Sequence, residues 1–513
     1  MKKTYYNTPA FFLVSAFIIL FSCAIFAVPN RVSFSMASEA PISNSIGDIV
    51  YDGECIWVST SEGMSRTCDD GESWEHFLIN KSFSAMSYSY GRVLAVSAYD
   101  TVSAGDSYPV GEGLYWAYTD SASIEFQKLR PWQMTFIHDT SFYGMLSYDL
   151  TVAIDGMDTI LWSANWYGGL SYSSDWGQTW RNILWDYAFG TGDSGTVIDT
   201  VIPANYNSIL SFIGDNGADY ARLFFAVTVD TAVDTARVFA GTASGIYVIQ
   251  DTLFWRAEPD DGLLGRWCVA LAVQYLSTGQ HIVWASSRSV SEGEGNGVCY
   301  STNGGRTWDT LAVGASEETT TLSLLCWNFA FGCNAVFCLC EQGLFKADIY
   351  STTDSLFIDS LREISITDSA TGDHLPVDAM ISAVVIDDRI WVGSESGLAY
   401  SFDCGTTWHI IFHGSLVEQG QTYAFPSPFS PYVHGALFFV LNSGVGGTVE
   451  IKIFDFAIEE VKNLTKTISA GEGQMVQWDG KDNDGKYPSN GIYFYRVKLP
   501  DGTELWGKFA MLK

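Results

Sequence analysis

Glu62, Glu341 and Glu395 each fall just before a glycine in a strand–turn–strand segment, and Trp166 and Tyr167 occupy the matching place in another. Carboxylates beside flat aromatic rings hydrogen-bond hydroxyls and stack on apolar ring faces, as sugar binding requires, and three carboxylates together also draw a cation. These five residues are the candidate ligand-binding set. Acid–base hydrolysis needs two carboxylates at a defined separation, and 58 acidic residues supply too many candidates for a pair to be chosen. The seven histidines, among them His76, His138 and His409, show no metal-ligand spacing. Neither a Gly-x-Ser-x-Gly elbow nor a phosphate loop is present. Asp479, Asp482 and Asp484 before Gly485 are spaced like part of a calcium loop, but the twelve-residue pattern is incomplete. An aspartate-stabilised turn is the preferred reading, and no cofactor or metal is expected.

The segments that carry these residues belong to a repeat. Thr67–Trp74, Ser173–Trp180, Ser301–Trp308 and Ser401–Trp408 share the pattern S/T-x-D/N-x-G-x-S/T-W. Upstream of each, an alternating strand reaches a turn, glycine follows, and a second strand runs into the box. The same grammar without the box recurs around Gly113, Gly245 and Gly343. The seven turn glycines, Gly63, Gly113, Gly169, Gly245, Gly297, Gly343 and Gly397, are spaced by 50, 56, 76, 52, 46 and 54 residues. Each interval suits one four-stranded blade, with an insertion in the longest. In the box, the Asp or Asn accepts N–H groups of its own turn, the glycine permits positive φ, and the tryptophan packs between blades. The boxes are therefore expected to fold hairpins and nothing more.

The four boxes resemble the Asp box, or BNR repeat, of sialidases, xyloglucanases, sortilins and photosystem-assembly-type propellers. The resemblance implies a seven-bladed β-propeller over residues 46–413, with the boxes opposite the functional face. Turns between second and third strands then lie on that face. They hold Glu62, Trp166, Tyr167, Glu341 and Glu395, with long excursions at residues 99–112 and 288–296. A sialidase would need an Arg-Ile-Pro element near the start, whereas Arg31 precedes Val-Ser and Arg130 precedes Pro-Trp. Two classes of function remain: non-catalytic binding of glycan or protein, which is preferred, and glycoside hydrolysis.

Lys2 and Lys3 followed by an apolar run from Phe11 to Val28 form an export signal, with cleavage expected after Ala27. A lipoprotein box at Leu20–Cys23 and an uncleaved anchor are the alternatives. A net charge of -31 excludes nucleic acid as a partner and disfavours anionic lipid. Ten cysteines, nine without Cys23, imply some pairing in an exported chain, with at least one thiol left over. Cys55 with Cys68, and Cys326 with Cys338 about Gly332, are the expected cross-strand bridges.

After Trp408 a Pro- and Ser-punctuated connector (414–431) leads to alternating strands at 448–456, 474–480, 491–499 and 504–512. Their span suits one immunoglobulin-like sandwich. Pro426–Pro431, Trp478–Gly480 and Gly491–Tyr495 resemble the FlgD Ig-like domain and the C-terminal sorting domains of type IX secretion cargo. The resemblance, over 422–513, implies a secreted or cell-surface protein engaged by secretion or anchoring machinery through this end. The whole chain is expected to be all-β.

Overall fold

The computed structural model describes residues 40–103, 106–120, 123–129, 147–155, 158–165, 169–186, 196–201, 223–250, 253–314, 323–370, 372–375, 379–412, 420–432 and 436–513. The export signal, Trp166, Tyr167, Arg130 and His138 lie outside them. The described chain is all-β apart from one short 3-10 turn at Pro259–Asp261. Its strands form nine antiparallel sheets among the described residues, most of them four-stranded as propeller blades are.

Seven of the sheets succeed one another from Ile46 to Ile411, each a meander in chain order. The first is Ile46–Tyr51, Ile56–Thr60, Gly63–Thr67 and Glu75–Phe77. The first strand of each sheet touches the first strand of the next, and Met380–Ile386 of the seventh touches Ile46–Tyr51 of the first. Second strands such as Ile56–Thr60 and Ala335–Cys340 are buried along their whole length. Each has a neighbouring sheet on both faces, which is why it reads as a continuous run of apolar and small residues instead of an alternation. The long interval between Gly169 and Gly245 holds a fifth strand, Thr196–Val201, on the outer edge of the third sheet. Residues 99–103 and 106–112 continue their two strands, paired as far as Ser103 with Asp106, and are not an open excursion.

All four boxes have one geometry. The Asp or Asn accepts the N–H four residues on, as Thr179 N donates to Asp175 at 2.8 Å and Thr407 N to Asp403 at 2.8 Å. The leading Ser or Thr hydroxyl accepts the glycine N–H, at 2.8 Å for Gly177. Two successive residues take positive φ, as in Trp176–Gly177 and Cys404–Gly405. Trp74, Trp180, Trp308 and Trp408 are buried, each against the preceding sheet. Trp74, for example, meets Trp391 of the seventh sheet edge-on at 6.2 Å.

Cys55 is bonded to Cys68 across the first hairpin, as expected. The second bridge is Cys326–Cys340, not Cys326–Cys338, and Cys338 is a free buried thiol. The turn centres on Cys333–Asn334 rather than Gly332, and a bulge between Cys326 and Asn328 shifts the register so that Cys326 faces Cys340. A third bridge, Cys333–Cys404, ties this turn to the box of the seventh sheet.

The last two sheets enclose one core that includes Leu437, Phe439, Ile451, Trp478, Tyr495 and Phe509. Strands Leu437–Ser443 and Glu460–Ile468 join those read from the sequence. This unit rests on the seven-sheet unit. Gln477 exchanges two hydrogen bonds with the backbone of His374, Lys466 pairs with Asp373, and Phe412 meets Phe438 at 4.9 Å. In the 479–485 turn, the Asp482 carboxylate accepts the amides of Asp484 and Lys486.

Candidate functional site: the central cavity

The first strand of each of the seven sheets carries a β-bulge at the equivalent position. A bulge leaves one residue unpaired and re-aims its side chain. The bulged residues are Gly47, Ser84, Tyr148, Phe225, Val269, Trp327 and Ile381, and all seven line one central cavity of about 770 Å³. The wall is uneven. Gly47, Ser84 and Ala85 make one side small, while Tyr148, Phe225, Trp267 and Trp327 make the other aromatic. Tyr148 and Phe225 centroids lie 6.1 Å apart and Phe225 and Trp267 5.6 Å apart. Tyr148 and Trp327 stay open to solvent, at 42% and 37% exposure.

The residue after the bulge latches sheet to sheet. Asp48 accepts Met86 N of the second sheet at 2.6 Å and the Ser382 hydroxyl of the seventh at 2.6 Å. Asp149 accepts Val227 N of the fourth sheet at 2.8 Å, and in the second sheet the bulged Ser84 itself donates to Ser147 O of the third at 2.7 Å. Both aspartates also face the cavity. Burial, reinforced by the Asp48 charge, pushes the Asp149 carboxyl up to about 7 against the opposing Val227 N–H. Burial raises Asp48 as well, opposed by its bonds from Ser382, Met86 and Ile49.

Above this layer stand residues from the turns between second and third strands. Glu341 and Glu395, both exposed, line the cavity, and so does Arg288 at the end of its strand, 5.9 Å from the Trp267 ring. Tyr432, from the segment entering the C-terminal unit, completes the lining and meets Tyr487 at 5.4 Å. Glu62 sits in the equivalent turn of the first sheet but is not among the lining residues. The structure thus brings together two of the five candidates. None of the box residues lines the cavity.

The sequence reading missed the bulge layer altogether. The signal is there: Gly47-Asp48, Tyr148-Asp149, Trp327-Asn328 and Ile381-Ser382 stand at one offset in the first strand of their sheets. A bulge shows itself only against the partner strand, so nothing in the turns marks these positions.

No family model matches the chain, and no curated protein matches it. Solved structures of similar kind include PorZ, a surface component of the type-IX secretion system of Porphyromonas gingivalis. It is 13% identical, with 91% of this chain and 75% of that one covered and a TM-score of 0.34. YCF48 from Cyanidioschyzon merolae is 14% identical, with coverages of 85% and 96% and a TM-score of 0.31. An ancestral GH74 enzyme is 11% identical, with coverages of 91% and 78% and a TM-score of 0.33.

Proposed function

We propose that the chain is a secreted or cell-surface binding protein: a seven-bladed Asp-box β-propeller over 46–413 that holds a glycan or protein ligand in its central cavity without catalysis. The observation that carries this reading is the cavity itself, where open aromatics, Tyr148 and Trp327, stand beside the exposed carboxylates Glu341 and Glu395. Trp166 and Tyr167 fall in sequence between the strands Asp158–Asn165 and Gly169–Ser173, outside the described residues, and they remain part of the proposed entrance. Glu62 is retained as a more distant rim residue. Three disulfides point to an extracytoplasmic location, in keeping with an export signal at 1–27. The sandwich at 422–513 is read as an Ig-like sorting or attachment module.

The test is a glycan array and a peptide library probed with wild type, Trp327→Ala and Trp166→Ala, with melting curves for each. Retained folding with lost binding supports the reading, and binding indifferent to all cavity variants removes it.

Glycoside hydrolysis is the second reading, and one observation favours it. A carboxyl held near pH 7 beside a second carboxylate is the environment of a general acid. Against it, both carboxylates are engaged as latches between sheets. Turnover in a hydrolase screen that Asp149→Asn abolishes would establish it.

A further inference from the structure

We propose that the group the cavity receives is an organic cation, the ammonium of a lysine side chain presented by a partner polypeptide. The inference rests on the central cavity being the binding site, as proposed above, and it names the chemistry of the occupant.

The first ground is charge. Glu341 and Glu395, both exposed, line the cavity together with Asp48 and Asp149, whose carboxyls burial raises toward the neutral form, and Arg288 is the one cation among its described lining residues. Elsewhere the fold supplies cations to its carboxylates. Glu112 takes both Lys81 and Lys128, and Asp348 takes Lys346 and Arg362. Glu341 and Glu395 have no such partner among the described residues, although they line a concave site where the attraction between opposite charges is less screened than on a flat surface. A positive group brought from outside completes them. The net charge of -31 adds a long-range field that steers cations and repels anions.

The second ground is the wall. Tyr148 and Trp327 are exposed and line the cavity, and an ammonium over an aromatic face gains cation–π attraction that grows as water is excluded. Apart from its charged groups, Ser84, Asn328 and the tyrosine hydroxyls, the lining is apolar, with Ala226, Val269, Ala270, Leu271 and Ile381 among it. Methylenes suit such a wall, whereas a hydroxyl-rich ring would lose hydrogen bonds against it. This favours a lysine stem over an amino sugar.

The experiment measures binding of a fluorescent Gly/Ser peptide bearing a single lysine by anisotropy. Matched peptides carry norleucine or acetyl-lysine, and glucosamine oligomers compete. The lysine peptide should bind at least about tenfold tighter than either neutral peptide. The double variant Glu341→Gln/Glu395→Gln should lose about tenfold, Trp327→Leu should weaken binding, and Arg288→Gln should tighten it by removing a like charge. Glu54→Gln, which removes the same surface charge away from the cavity, should leave it unchanged. Equal binding of norleucine, weakening in Arg288→Gln, an equal loss in Glu54→Gln, or no lysine-dependent binding overturns the inference. Glucosamine oligomers that displace the peptide at lower concentration than free lysine peptide does would overturn the lysine assignment. Should the neutral ligands bind and respond to Trp327→Leu, the cavity reading stands and the cation inference alone fails.

Discussion

Asp69, Asp175 and Asp403 hold their turns as charged acceptors, and the hydroxyl and amide bonds they receive lower all three carboxyls, Asp403 to about 2. A lowered acid contributes stability that is complete above its unfolded value and is lost as pH falls through the folded one. That window runs from about 4 down to about 2. Asp175→Ala should lower stability at neutral pH by about 1 kcal/mol, since the Thr179 amide and hydroxyl lose their acceptor. Ligand binding by the folded fraction should not change, and a selective loss of binding with an intact melting curve would make the box functional. Asp149 has the opposite sign. Its carboxyl is raised from 3.8 to about 7, so the folded state holds a proton the unfolded state has lost, and stability falls as pH rises through that interval. Asp149→Asn keeps an oxygen acceptor for Val227 N–H and removes the titration. The variant should melt above wild type at pH 8, with the gap closing toward pH 4. A constant offset across that range would show that Asp149 does not titrate there.

At the scale of the strand and sheet, the seam between the seventh sheet and the first decides whether the ring closes. A Cβ on Gly393 would lie 2.3 Å from the Ile46 side chain, so the two sheets approach through the missing side chain. Ile49 N donates to Ser382 at 3.1 Å and Arg389 pairs with Asp70 at 2.8 Å along the same seam. Gly393→Val should destabilise by about 1–3 kcal/mol through overpacking. The expected signature in hydrogen exchange is faster opening of Ile46–Tyr51 and Met380–Ile386 than of the other first strands. The hairpins and boxes were legible in the sequence because turn residues are local and repeat at fixed offsets. The Cys326 register was not, because the turn at Cys333–Asn334 carries its partner three residues further on than a turn at Gly332 would, and the bulge moves it back by one.

For the molecule as a whole, the Cys333–Cys404 bridge spans 71 residues and joins the sixth sheet to the seventh. Removing it with Cys333→Ser/Cys404→Ser should cost about 2–4 kcal/mol, read from denaturant melts. Peptide mapping without reduction should recover the two cysteines in one linked pair. The docked C-terminal unit matters to the cavity as well, since Tyr432 reaches its lining. The sequence by itself determined the repeat, the β class, the Cys55–Cys68 hairpin bridge and the placing of Glu341 and Glu395 in equivalent turns, because each depends on residues close together along the chain. Only the tertiary structure decided that seven bulged residues converge on one cavity, that Asp48 and Asp149 latch neighbouring sheets, that Glu341 and Glu395 but not Glu62 line the cavity, and that Cys333 meets Cys404. Those relations join residues far apart in the chain, and they exist only once neighbouring sheets pack and the first is brought against the last.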